Sequence, residues 1–593
     1  MSDRSDARRG RVSNLPLSAP RAMSSPPAVD SSSSAATAAG GERPPRPAAT
    51  IVVLRDGPRG IEVLLSRRAE RGDHNSGAWV FPGGIVEPGD ALAHGACDGH
   101  DDVEASRGLG LARGGLDYWV AAIRECFEES GLLFARGDGD ALVDLDGIDA
   151  ARLAPWRLAL HRCEKSMIEF CTAERLRLAV DRLVYLSHWL TPLGRAKRFD
   201  TRFFIAAAPA AQTAVHDGTE LVEQLWITPR EALARSESLR MLTPTLKTLE
   251  TIGRFSTVAE AMAWASAPRD VGLVMPRVGN GRDGMRPVTP DEPAWAELGR
   301  IDPAGHGNGS YDIVPDRPVR LSERVIRVSA DNGSVMTGPG TNTYLIGGPG
   351  AASWSVIDPG PAIDAHVDAI VAAAPGPIDR IFVTHTHKDH SPAALLLQKR
   401  TGATLLGLAP LHSEWQDPSF AADVTLRGGE RFAIDGSTHL AVIHTPGHAS
   451  NHLCYLLEEE RTLFTGDHLM QMSTVVINPP DGDMAAYIAS LRALLALDLE
   501  WLAPGHGFLM AEPKKAIDAV IAHRLRREQK VVDALAELGP ASIERLLARV
   551  YADVPERLHP VAQRSLTAHL LKLRADGRAS ESAKGWALEA RGG

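Results

Sequence analysis

A chain of 593 residues is too long for one hydrophobic core and divides, at the usual domain size, into about three or four folded units. Its net charge of −10 is spread over the whole length, which supports solubility and gives no sign of whole-surface nucleic-acid binding. Five cysteines, none in CxxC spacing, argue against thiolate metal sites and for a reducing, cytoplasmic compartment, and no stretch approaches the ~20 apolar residues of a membrane helix, so no membrane partner is expected.

In chain order, residues 1–48 are Ser, Ala, Pro and Arg with almost no large apolar side chain, so they cannot bury enough surface to offset ordering entropy and read as a disordered tail. "ATIVVLRDG" and "GIEVLLSRR" form a predicted β-hairpin, and "WVFPGGIVEPGD" a strand running into a glycine loop. "YWVAAIRECFEESGLLF" has helical spacing, with Gly131 placed to close the helix. Arg124, Glu125, Glu128 and Glu129 then share one helix edge. Three carboxylates on one edge repel one another unless a divalent cation neutralises them, so they suggest a Mg2+ or Mn2+ site; a solvated acidic face is the competing reading.

These residues resemble the Nudix box, a glycine loop followed by R-E-x-x-E-E-x-G on a helix: Gly83, Gly84 and Glu87, then Arg124, Glu125, Glu128, Glu129 and Gly131. Asp90 stands where the box carries Glu, and about 26 extra residues, 91–116, separate loop from helix. An insertion there resembles the branch that includes a peroxisomal coenzyme A diphosphatase, with the likeness running over 49–262. The resemblance implies hydrolysis of a nucleoside diphosphate derivative, coenzyme A being a candidate, with Glu128 and Glu129 holding the metal and Glu125 acting as ligand or catalytic base for water. Arg124 would orient the glutamates, and Glu220 or Glu223 would add a carboxylate from a loop.

The Gly/Pro-rich "PRVGNGRDGMRPVTPDEP" reads as part of an interdomain linker over 263–319. Beyond it, "IFVTHTHKDHSPAALL" packs His385, His387, Asp389 and His390 into six positions behind an apolar run. Packing has no use for so many imidazoles and a carboxylate, so the loop reads as a metal site. "AVIHTPGHASNHLCYLL", "RTLFTGDHLM" and "LEWLAPGHGFLM" place His448, Asp467 and His506 after three further apolar runs, as when a sheet sandwich presents ligands along one edge. This order is similar to the hydrolases of the metallo-β-lactamase superfamily over 320–510. The resemblance implies one site of His385, His387 and His448 and another of Asp389, His390 and His506, bridged by Asp467, with Asp389 also catalytic. It implies two Zn2+ ions sharing a water-derived hydroxide, although Mn2+ and Fe2+ suit the same ligand types. His452 and His468 read as supporting or structural.

Residues 511–593 read as three helices and a short hairpin, a winged helix. Residues 512–593 hold fifteen Lys/Arg against eleven Asp/Glu, a net +4 that suggests a polyanion contacted by Arg564, Lys572, Arg574 and Arg578; a packing or homo-oligomerising module is the equal alternative. "SVMTGPGTNTYLIGG", "HLMQMSTVVINPPDGDMAAYIASL" and this extension together look like the β-lactamase-like-2 family, whose characterised eukaryotic member is a single-strand-preferring endoribonuclease. The expected fold class is thus α/β multidomain: a Nudix α/β/α sandwich, a metallo-β-lactamase αββα sandwich and a winged helix. The expected function is bifunctional metal-dependent hydrolysis, the second activity phosphodiester cleavage of single-stranded RNA ahead of a glyoxalase-II-like thioesterase. The rival is a nucleotide-sensing, nucleic-acid-binding regulator.

Overall fold

The computed structural model describes residues 44–70, 76–146, 150–471 and 474–589. Most of the expected tail lies outside them, but Arg46, Pro47 and Ala48 already belong to the first strand, Arg46–Gly57. That strand alternates into two cores because it is central: it pairs antiparallel with Gly60–Arg68 through a four-residue turn, and parallel with Phe199–Ala207 on its other side. Val184–Leu190 and Leu221–Ile227 extend the sheet in either direction. One face buries Ile51, Val53 and Phe204 against the helix Leu116–Ser130; the other buries Val52, Leu54 and Ile205 against helices including Thr243–Ile252 and Val258–Ser266.

The inserted segment 91–116 is ordered. It makes a helical turn, Asp90–Ala96, and a helix, Asp102–Leu109. Asp102 accepts hydrogen bonds from the Gly114 and Leu116 amides, so the insertion delivers the chain into the first turn of the glutamate helix.

The segment expected as a linker is folded, which corrects that expectation. The helix Val258–Ser266 runs into it, Leu273–Val274 joins the first sheet, Arg277–Gly279 and Arg286–Val288 pair as a hairpin, and Trp295–Ile301 is a helix. Its sparse large apolar residues, Val288, Leu298 and Trp295, gather in one cluster with Phe508 of the following domain. Composition undercounted its order because much of it comes from polar pairing: Glu297, 1% exposed, holds Arg327 through two contacts of 2.6 and 2.9 Å.

From Val319 onward two sheets face each other. The first runs from Val319–Arg320 through Val325–Ser329, Asn342–Ile346, Trp354–Ile357 and Ile378–Phe382 to Thr404–Gly407 and Val424–Thr425; the second runs from Arg431–Asp435 through Thr438–His444, Leu453–Leu457 and Thr462–Gly466 to Trp501–Pro504. Tyr344, Phe382, Tyr455 and Phe464 fill the space between them. Helices Asp364–Ala373 and Ala394–Thr401 cover the first sheet, while Met484–Leu494 and the start of Pro513–Leu538 cover the second, giving αββα layers.

The 26-residue helix Pro513–Leu538 belongs to two cores. Ile517 and Ile521 pack against the second sheet, and Val531 and Leu535 pack with Ile543–Val550, His559–Ala575 and the hairpin Ala579–Ser582/Gly585–Leu588 in the winged helix.

Candidate active sites

The first site lies where the glycine loop meets the helix Leu116–Ser130. A Cβ on Gly83 would stand 2.5 Å from the Ala49 carbonyl oxygen, so only glycine lets the loop come this close there, and one on Gly84 would press on the Glu125 carboxylate. The Gly83 amide donates to Glu129 Oε2 at 2.9 Å. Arg124 is buried and fully committed: it grips Asp90 through Nε and Nη2 at 2.8 and 3.1 Å, and reaches Glu125 and Glu128 from Nη1 at 2.9 and 3.3 Å. Asp90, the departure from the box, thus anchors the arginine that orients the glutamates.

Burial, opposed by Arg124, pushes the Glu125 carboxyl up to about 7 and Glu128 to about 8. Burial and the neighbouring Glu125 carry Glu129 well above the ordinary range. A divalent cation among such carboxyls would favour their ionised forms and displace the protons, so the donor set fits a hard divalent ion. The glutamates are spread around Arg124 and the Gly83 amide rather than drawn into one tight cluster. Glu220 lies close enough to raise both Glu125 and Glu129 and is paired with Arg68 at 3.1 Å. Glu223 is instead on the surface with Arg67. His161, which no sequence pattern marked, has Nδ1 3.8 Å from Glu128 and 4.0 Å from Glu220.

The second site sits at one end of the sandwich, each candidate ligand on a loop leaving a strand. Potential donor atoms of His385, His387 and His448 lie within 4.8 Å of one another, as do those of Asp389, His390, Asp467 and His506. In the first group His387 Nδ1 is 3.0 Å from both His385 Nε2 and His448 Nε2. His448 Nδ1 donates to the Val476 carbonyl at 2.8 Å, which leaves its Nε2 as a lone pair aimed at the other imidazoles. In the second group His506 Nε2 is 3.2 Å from Asp467 Oδ1 and 3.4 Å from Asp389 Oδ2, and His390 Nε2 is 3.4 Å from Asp467 Oδ1. The other Asp467 oxygen is 3.7 Å from His448 Nε2, so this carboxylate spans both groups.

Among the described residues, His390 Nε2, His506 Nε2 and Asp467 Oδ1 are buried without a well-formed hydrogen bond, a donor set that a bound cation would satisfy. Electrostatics differ between the halves. Burial and adjacent imidazoles drive His385 far below its usual range, and burial followed by His448 takes His387 to about 3. Burial also lowers His506, but Asp467 and Asp389 outweigh it and raise that imidazole to about 9. The first group therefore offers neutral nitrogen donors and the second a carboxylate-rich one.

Asp358 was missed by sequence reading. It accepts from His390 Nδ1 at 2.9 Å and from the Thr384 amide and hydroxyl, each at 2.7 Å; its only signal was a strand-end Asp before Pro-Gly. His452 stacks on His385 with ring centroids 5.0 Å apart, and His468 packs against Tyr487.

Two loops around the centre carry exposed apolar side chains. Val335 and Met336 lie on the loop whose Gly340 carbonyl accepts from His506 Nδ1; Leu411 and Trp415 lie on the loop whose Gln416 bridges His387. Three of the four winged-helix cations singled out as phosphate contacts have carboxylate partners within the domain. Lys572 pairs with Glu528 and Asp576, Arg578 with Glu528 and Arg574 with Glu581. Among the described residues Arg564 has no such carboxylate.

The description "Metallo-beta-lactamase superfamily" matches residues 336–506, and "Beta-lactamase associated winged helix domain" matches 542–586. "NUDIX domain" matches 44–97 and "NUDT19 Nudix domain" 102–249. A β-lactamase-like protein 2 homolog from Drosophila melanogaster is 31% identical over 44% of this chain and 93% of its own length. An atrochrysone carboxyl ACP thioesterase from Aspergillus fumigatus is 32% identical over 41% of this chain and 80% of its own. Among solved structures, a Nudix hydrolase from Alicyclobacillus acidocaldarius is 27% identical, with TM-score 0.33, over 39% of this chain and 98% of that one.

Proposed function

Because this chain belongs to the metallo-β-lactamase superfamily and joins to that domain a Nudix hydrolase domain, it is a hydrolase, and we propose that its two centres cut different bonds of carrier-linked substrates. The Nudix centre hydrolyses a nucleoside diphosphate derivative of coenzyme A type with Mg2+ or Mn2+ held by Glu128 and Glu129. Glu125 accepts the proton of the attacking water, and the P–O bond of the diphosphate breaks. The second centre hydrolyses a thioester with two Zn2+ ions. His385, His387 and His448 would hold one ion and Asp389, His390 and His506 the other, with Asp467 placed between the two groups.

When bound, the ions acidify water and polarise the carbonyl. Asp389 orients that water and accepts its proton. Water adds to the acyl carbon, the C–S bond breaks, and Asp389 returns the proton to the departing sulfur, which leaves as a thiol.

One observation carries the thioester ahead of the phosphodiester: the exposed apolar side chains around the dinuclear centre stand on loops hydrogen-bonded to its candidate ligands, while three of the four expected phosphate-binding cations already have carboxylate partners. The net +4 of residues 512–593 still supports single-stranded RNA as the second reading.

The test is turnover of coenzyme A, a medium-chain acyl thioester and single-stranded RNA by wild type, Glu128→Gln and the His385→Ala/His387→Ala pair. Glu128→Gln should abolish only diphosphate cleavage. The double substitution should abolish thioester cleavage and lower bound metal in elemental analysis. RNA cleavage without thioester cleavage would reverse the order of the readings, and unchanged metal in the double variant would refute the ligand set.

A further inference from the structure

Between the metal domain and the winged helix lies a cavity of about 300 Å3 lined by Asn478, Pro479, Pro560, Gln563, Arg564 and Thr567. It is tied to the dinuclear centre through the backbone. Val476, whose carbonyl fixes His448, is two residues from Asn478, a reach of about 7 Å of extended chain. The neighbouring Val475 carbonyl accepts from Arg524 of the long helix, so the wall between centre and cavity is pinned from the winged-helix side.

Arg564 sits 4.9 Å from the centroid of the Trp415 ring, which remains 57% exposed. Trp415 adopts φ of 67°, a left-handed backbone that a bulky residue takes only when its surroundings impose it. Those surroundings are the ligand loop. Gln416 bridges His387 and donates to Asp481 at 2.9 Å, and the Asp417 amide donates to the Thr386 carbonyl at 2.6 Å.

A half-buried guanidinium with no carboxylate partner among the described residues, in a cavity beside the candidate metal centre, is suited to an anion on the substrate. None of the cavity's lining residues is a candidate metal ligand, so the anion it takes is not the group being cut. We propose that Arg564 is a specificity-determining residue of the dinuclear centre, binding the phosphate at the far end of a phosphopantetheine-type arm whose thioester lies at the metals, with Trp415 covering the arm. This rests on the thioester reading above. It adds that the winged helix contributes a residue to the substrate site of the neighbouring domain. The phosphate is common to acyl-coenzyme A and to an acylated carrier protein.

The experiment compares the full-length, metal-loaded wild type with Arg564→Gln and Arg564→Lys. By calorimetry, wild type should bind 4′-phosphopantetheine at least tenfold more tightly than pantetheine, Arg564→Gln should erase that preference, and Arg564→Lys should retain part of it. These single-phosphate probes lack the diphosphate that the Nudix centre needs. In turnover, Arg564→Gln should raise KM for an acyl-coenzyme A about 10- to 100-fold and leave hydrolysis of the matching acyl-N-acetylcysteamine, which has no phosphate, within about twofold. Running the same acyl group on a carrier protein shows which source of the arm is preferred.

Equal wild-type affinity for the two probes overturns the proposal, as does an equal loss on both thioesters, which would mark Arg564 as packing. Competition by single-stranded RNA that depends on Arg564, with no preference for phosphopantetheine, overturns it in favour of a nucleic-acid strand. An Arg564-dependent phosphate preference without thioester turnover leaves the subsite standing and removes the proposed reaction.

Discussion

Asp358 is 2% exposed and organises three donors around the ligand loop, the Thr384 amide, the Thr384 hydroxyl and His390 Nδ1. Its acceptance from Nδ1 leaves His390 Nε2 bare and directed at Asp467, so the carboxylate decides which nitrogen can bind metal. Asp358→Asn preserves shape but offers an NH2 group where an acceptor is required. We expect about 10- to 100-fold weaker metal binding in a chelator competition, together with a matching fall in the second hydrolytic activity. Undiminished affinity would mean that His390 is oriented by something other than this bond.

At the scale of elements, the glutamate helix Leu116–Ser130 is where pH acts. Glu125 and Glu128 have folded-state values near 7 and 8, above an unfolded glutamate near 4.3. The folded chain therefore binds more protons than the unfolded chain between these limits, and stability falls as pH rises through that window. Without divalent cations the Nudix domain should melt at progressively lower temperature from about pH 5 to pH 8. Added Mg2+ should raise the melting temperature more at pH 8 than at pH 5, and calorimetric scans showing the same Mg2+ effect at both would contradict the assignment.

Sequence carried the ligand loops clearly because histidine and aspartate at the ends of four apolar runs have few other uses. Asp358 was harder, since one Asp before Pro-Gly also makes an ordinary turn. His161 reaches the glutamates only through the packing of a helix whose sequence shows no polar pattern. The cations of the winged helix were visible, but their partners were not. Glu528, which holds Lys572 and Arg578, lies 44 and 50 positions away along the chain. Counting charge cannot tell a free arginine from a paired one.

At the scale of the whole molecule, the segment 277–313 braces rather than spaces. On one side Lys247 reaches Asp291 at 3.0 Å; on the other, Glu297 grips Arg327 and accepts from the Leu509 amide at 2.9 Å. Removing one member of a buried pair strands the other, so Glu297→Ala should cost about 3–5 kcal/mol in denaturant unfolding of the metal domain. Glu297→Leu with Arg327→Met should recover most of it. A loss under about 1 kcal/mol for Glu297→Ala would show that water reaches Arg327.

Glu297 also bears on how such a chain can change over generations. A true spacer can be lengthened, shortened or swapped between lineages because nothing on either side depends on it. Here the metal domain keeps one half of a buried ion pair while the joining segment keeps the other. A descendant that shed the Nudix half cleanly at residue 320 would inherit an arginine in its core with no counter-ion. It would survive only by retaining the helix around Glu297 as an N-terminal appendage or by replacing Arg327, and either remnant would mark a free-standing metal hydrolase as the former partner of a fusion.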